Sequence, residues 1–143
     1  MTNLSGKTWL VDSMVLVAFV NEAHVNHAKA LKLFESISSG EVKVVISSQN
    51  ILEYSTVLIK GYKLPAKEVA KGVKALFSDK NFSLIYPNSV ALEDYVTRLS
   101  DTILHPADFF LMTTMLANGV DSIITDDRDF LKIKELTVYN PFE

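Results

Sequence analysis

Short runs of β-branched and apolar residues alternate along this chain with longer segments whose apolar residues recur at helical spacing. Lys7–Val11, Lys43–Ser47, Ser83–Tyr86, Ser122–Thr125 and Thr137–Tyr139 read as strands. Ser13–Phe19, His24–Ser38, Ser48–Lys60, Ala66–Phe77, Ser89–Leu104 and Ala107–Asn118 read as helices. Such alternation predicts crossover units, and so a three-layer α/β/α architecture with a central, mainly parallel sheet of four to five strands. Ligands of sheets built this way bind beyond the carboxyl ends of the strands. Local punctuation agrees. Pro65 and Pro106 suit the first position of a helix, Asn118-Gly119 suits a left-handed helix end, and Ser47-Ser48 offers an N-cap hydroxyl. With no internal repeat or linker, residues 1–143 read as a single domain, long enough to bury a core without staples.

Composition removes several classes of chemistry. The chain has no cysteine, which excludes disulfides, thiolate metal sites and a cysteine nucleophile. Its five glycines form neither common phosphate-cradling loop, and no Gly-x-Ser-x-Gly elbow occurs. A haloacid-dehalogenase-type phosphatase wants a second aspartate two places after its first, where this chain has Met14. The apolar stretch from Trp9 to Val20 is broken by Asp12 and is too short to span a bilayer, which needs roughly 20 apolar residues. The expectation is a cytoplasmic protein with no membrane partner. The formal charge of −3 argues against a strongly basic nucleic-acid coat. Charge is nevertheless segregated: six aspartates and one arginine fall between Asp101 and Asp129, and five lysines and one glutamate between Lys60 and Lys74.

The acids carry the clearest chemical signal. Asp12 directly follows the first strand, where an N-cap is one reading, but the segment behind it, Met14 to Val20, is wholly apolar. Glu53 shares a helical face with Gln49, Asn50, Thr56 and Lys60, which taken alone reads as a solvated face. Asp108 falls in the first turn of a helix, where the dipole favours a carboxylate by roughly 0.3–1 kcal/mol. That helix is almost entirely apolar, so Asp108 heads a stripe that should be buried, and a buried carboxylate must be paired, protonated or metal-bound. Asp126, Asp127 and Asp129 crowd the end of the fourth strand, more acids than a turn requires.

Their combination points further than any one of them. Two unit charges about 4 Å apart repel by about 4 kcal/mol at an effective dielectric near 20. Converging carboxylates therefore need a cation or take up protons. Ligation by oxygen alone selects Mg²⁺ or Mn²⁺ over zinc, and such ions activate water and steady the charge of a phosphodiester displacement.

From Lys7 to Leu131 the chain resembles the PIN-domain ribonucleases, and among them the VapC-type toxins of toxin–antitoxin pairs. The resemblance rests on Trp-Leu-Val-Asp12-Ser13, on Ser47-Ser48 leading to Leu52-Glu53, on His-Pro-Ala-Asp108, and on Ile-Ile-Thr125-Asp126-Asp127-Arg-Asp129-Phe130. It implies that Asp12, Glu53, Asp108 and Asp127 are the catalytic, metal-binding acids. Ser13 and Thr125 would hydrogen-bond around them, with Asp126 and Asp129 as additional acids. Asp127 is preferred to Asp126 because the pattern puts an acid two places after the threonine. The implied activity is Mg²⁺- or Mn²⁺-dependent hydrolysis of RNA that leaves a 5′-phosphate. The implied partners are RNA, a second copy of the chain and an antitoxin. Met14 departs from the pattern, which commonly has Asn or Ser there, and a thioether cannot supply that polar contact.

Two other readings stay open. One is a non-catalytic RNA- or protein-binding module on a PIN-like fold; the other is a nuclease directed at DNA. Lys67, Lys71 and Lys74 share one helical face and are weak candidates for RNA phosphate contacts, though such a stripe is more often a solvated face. His24 and His27 lack a third partner at ligand spacing and read as surface or capping residues. Phe109, Phe110 and Phe130 read as core.

Overall fold

In the computed structural model, which describes residues 3–143, β1 (Thr8–Val11) lies at the centre of a five-stranded sheet. Its neighbours are β2 (Lys43–Ser47) and β4 (Ser122–Ile124), with β3 (Phe82–Ile85) and β5 (Thr137–Tyr139) at the edges. Every pairing is parallel, and Val11 registers with Ile124. The order β3-β2-β1-β4-β5 reverses direction between β1 and β4. That reversal opens a crevice above the carboxyl ends of the two strands.

The inner strands bury both faces, so alternate residues feed two separate cores. Trp9, Val11, Val44, Ile46 and Ile124 pack toward α1 (Ser13–Val20), α2 (His27–Ser38), α3 (Ser48–Thr56) and α4 (Ala66–Ser78). Leu10, Val45 and Ile123 pack toward α6 (Pro106–Ala117), which lies against α5 (Ser89–Arg98). The result is the three-layer α/β/α architecture. Each wholly buried aliphatic side chain in these layers contributes about 1.5–3 kcal/mol relative to exposure. Trp9, the one tryptophan of the chain, is sealed at the foot of β1. Its indole N–H donates to the Leu4 carbonyl at 2.9 Å, and its ring meets Tyr139 edge-on at 6.3 Å. Among the described residues, no helix is long and apolar enough to cross a membrane.

Local signals account for most boundaries. Pro106 opens α6, and Gly119, at φ +73°, closes it by letting Val120 N–H reach the Met115 carbonyl at 2.9 Å. Ser47 caps α3 through a reciprocal box with Asn50. Four expectations shift. Pro65 stands at the N-cap of α4 rather than inside its first turn. The helix expected from His24 starts at His27, because residues 21–27 are taken up by turns in which His24 N–H reaches the Asn21 carbonyl. The helix expected through Lys60 is α-helical only to Thr56 and continues as a π turn over Val57–Gly61. The helix expected to reach Leu104 narrows to a 3₁₀ turn at Leu99–Asp101, ahead of the restriction that Pro106 imposes. A further 3₁₀ segment, Arg128–Lys132, had no counterpart in the sequence reading.

Candidate active site

Asp12 leaves the end of β1 into the switch-point crevice, its own N–H bound to the Ile124 carbonyl of β4 at 3.0 Å. It caps α1, with Oδ1 accepting the Ser13 N–H at 2.8 Å. The Asn50 side-chain amide reaches the same oxygen at 3.4 Å, and the Thr125 hydroxyl donates to Oδ2 at 2.7 Å. Thr125 Oγ1 accepts in turn from the Asp127 N–H at 3.1 Å. A polarised chain thus runs from the loop after β4 to the carboxylate at the end of β1.

Glu53 meets this group from α3. The Ser13 hydroxyl lies 2.8 Å from Glu53 Oε2 and 3.4 Å from Asp12 Oδ1. A hydroxyl has one proton, so it goes to Glu53. Gln49, one turn earlier, donates to Glu53 Oε1 at 3.0 Å and also to the Ala107 carbonyl at 2.8 Å, at the start of α6. Glu53 is therefore half-buried and bound by two donors rather than set on a solvated face. Asn50, which shared that expected face, is fully buried.

Asp108 stands half-buried in the first turn of α6. Among the described residues no donor bonds its carboxylate. Burial first, then the charge of Asp127, pushes its pKa up, with Glu53 and Asp129 adding to the effect and His105 opposing it. Asp12 is pushed up to about 6, first by burial and then by the charges of Glu53 and Asp108, against the lowering hydrogen bonds from Thr125 and Ser13. Asp12 thus feels the charge of Glu53 and Asp108, and Asp108 that of Glu53 and Asp127. Asp127 also caps the 3₁₀ segment by accepting the Asp129 N–H at 2.9 Å. Asp129 is exposed and paired with Lys132 at 2.9 Å, and Asp126 is exposed with no hydrogen bond to these acids.

No Lys or Arg among the described residues pairs with Asp12, Glu53, Asp108 or Asp127. As oriented, no three Asp, Glu or His side chains of the described residues stand close enough to enclose an ion. The donor chemistry nonetheless fits a hard divalent cation. The ligating atoms available are all oxygens, no Lys or Arg pairs with these acids, and burial together with neighbouring carboxylates raises the pKa of Asp12 and Asp108.

The remaining sequence candidates fall outside this cluster. Lys67, Lys71 and Lys74 are exposed on α4, Lys71 bridging to Glu68 at 3.5 Å. His24 Nδ1 accepts the Asn26 N–H at 3.0 Å, a capping role, and the His27 ring bonds the Ala18 carbonyl at 2.9 Å. Phe109 and Phe130 are core, while Phe110 is half-buried against Tyr95. Gln49 and Asn50 were the residues missed. The Ser-x-x-Asn spacing of a capping box and the i, i+4 relation of Gln49 to Glu53 were the signals that could have found them.

Fold and site together define a three-layer α/β/α protein whose acids gather above the switch point of a parallel sheet. The sequence model of the PIN domain matches residues 9–136, and the chain belongs to that family. No curated protein matches the chain. Among solved structures, VapC20 of Mycobacterium tuberculosis, a toxin that cleaves the sarcin–ricin loop, superposes with a TM-score of 0.69 at 18% identity, covering 86% of this chain and 92% of that one. VapBC2 of Rickettsia felis, bound to a fragment of its promoter DNA, gives 0.69 at 14% identity, with 93% and 98% covered. FitAcB of Neisseria gonorrhoeae gives 0.66 at 15%, with 92% and 96% covered.

Proposed function

We propose that this PIN-domain chain is a Mg²⁺- or Mn²⁺-dependent endoribonuclease, the toxin of a toxin–antitoxin pair. In this reading it works in the cytoplasm as a single domain, pairs with a second copy and is restrained by an antitoxin. The observation that carries the reading is the group of acids above the β1–β4 crevice, in which Ser13 joins Asp12 to Glu53 by hydrogen bonds, the charges of Glu53 and Asp127 act on Asp108, and no Lys or Arg pairs with any of them. The nature of the structural neighbours supports the toxin assignment.

Asp12, Glu53, Asp108 and Asp127 would hold the cation. When bound, it supplies activation of water and stabilisation of the charge developing on a phosphodiester. The chain's own residues do the positioning. Ser13 fixes one oxygen of Glu53, and Thr125 one oxygen of Asp12. Asp108, bonded by no donor and with its pKa raised, is the carboxylate suited to orient attacking water and accept its proton.

The test is cleavage of a structured RNA in Mn²⁺ by the wild type and by Asp108→Asn. Cleavage by the wild type alone is expected, and equal cleavage by both rejects the site. Met14 favours the second reading, a non-catalytic RNA- or protein-binding module. It lies two residues from Asp12 in the first turn of α1 and offers no proton donor. RNA retention without cleavage by either protein is the result that would select that reading. Offering single-stranded DNA under the same conditions separates a DNA-directed nuclease.

A further inference from the structure

Gln49 joins the two acid-bearing helices. Its Nε2 donates at 3.0 Å to Glu53 Oε1 within α3 and at 2.8 Å to the carbonyl of Ala107, the residue before Asp108. A carboxylate and a carbonyl have no proton to give, so only the NH₂ end of the amide can face them. The amide therefore has one workable orientation. That orientation leaves Gln49 Oε1 buried and without a partner, the one such side-chain atom among the described residues. An amide oxygen stranded in this way is destabilising. An apolar replacement would remove the stranded oxygen along with the two bonds, while Glu53 would keep the Ser13 hydroxyl on Oε2 and the carbonyl of the exposed Ala107 could turn to solvent.

We propose that Gln49 is a positioning residue of the acidic site. By holding the Glu53 carboxylate and the first turn of α6 on a single amide group, it sets the separation between Glu53 and Asp108. The inference rests on the cation-binding reading above and extends it to a residue outside the ligand set. The arrangement costs the fold a satisfied oxygen and gains a fixed spacing between two carboxylates carried by different layers.

The discriminating variant is Gln49→Met, close in volume and free of the amide. Two quantities are read on the full chain: Mn²⁺ affinity, from the free-ion electron paramagnetic resonance signal, and the melting midpoint in EDTA. The expected result is Mn²⁺ binding weakened by about 10-fold or more, with a melting midpoint equal to or above that of the wild type. Unchanged Mn²⁺ affinity overturns the proposal. So does weaker binding together with a clearly lower midpoint in EDTA, because general loosening then accounts for both. Asp108→Asn, run in parallel, separates the two levels of the argument. If Asp108→Asn binds Mn²⁺ like the wild type, the cation site itself is wrong. If Asp108→Asn loses binding and Gln49→Met does not, only the role of Gln49 is wrong.

Discussion

Asp12 and Glu53 are held by donors from α1, α3 and the loop after β4, whereas the Asp108 carboxylate, across the crevice on α6, receives none among the described residues. The first pair sits where β1, α1 and α3 are packed into the larger of the two cores, and its oxygens are fixed by short bonds. Asp108 rises from the opposite layer, and Asp127 from an exposed turn. One half of the cleft is thus ordered in advance by donors, and in the other the Asp108 carboxylate is left without one. Preorganised charge needs little rearrangement when a ligand arrives. In the proposed reading, Asp108 is the part left to respond to the cation.

The sharpest way to break this contrast is to neutralise one acid on each side. Asp12→Asn and Asp108→Asn should each lower Mn²⁺-dependent RNA cleavage by at least about 100-fold, while Asp126→Asn stays within roughly threefold. A fall for Asp126→Asn as deep as that for Asp108→Asn, read from initial cleavage rates, would transfer the role to the wrong aspartate.

Stability should move the opposite way on the braced side. Asp12 goes from an ordinary value of 3.8 to about 6 on folding. The folded state therefore binds more protons between those values, and stability falls as the pH rises. The favourable contribution is complete only below about pH 4 and is lost as the pH passes 6, a change on the order of 3 kcal/mol, of which about 2 kcal/mol falls between pH 4.5 and 7.5. Urea melts in EDTA at pH 4.5 and 7.5 should show this loss in the wild type and a smaller one in Asp12→Asn, which should also be the more stable at pH 7.5. Equal slopes in the two proteins would remove burial as the source of the strain.

Smaller effects test the bracing itself. Ser13→Ala frees Glu53 Oε2 and should reduce cleavage by about 10-fold, with a melting shift no larger than a single lost hydrogen bond, about 1 kcal/mol. Replacing Lys67, Lys71 and Lys74 together by Ser should change cleavage least, within about threefold at moderate salt. If these lysines do grip phosphates, the salt dependence of RNA binding should flatten by close to one unit of slope per contact.

The alternation of apolar runs carried the layered architecture because a parallel strand buried on both faces must be apolar throughout, and its crossover must be long. Boundaries slipped where local chemistry competes with periodicity: the turns at residues 21–27, the π turn at Val57–Gly61 and the narrowing before Thr102. Asp12, Asp108 and Asp127 could be read because each follows a strand or heads a helix, whereas Glu53 lies within α3 and needed the resemblance. Their braces could not. Gln49 and Asn50 look like any polar helical face until α6 and the loop after β1 are laid against them. Asp12 shows that a helix cap and a place among the clustered acids need not be rival readings, since the same carboxylate caps α1 and is bonded by Thr125.

The solitary indole at the foot of β1 gives the protein a built-in optical gauge. Shut away from water and bonded to Leu4, Trp9 should emit in the blue while the sheet is intact and shift to the red only when the sheet comes apart. Side-chain exchanges in the crevice should leave its colour alone. Emission recorded in the same cuvette as an Mn²⁺ titration would therefore tell a variant that has lost its ion from one that has lost its shape.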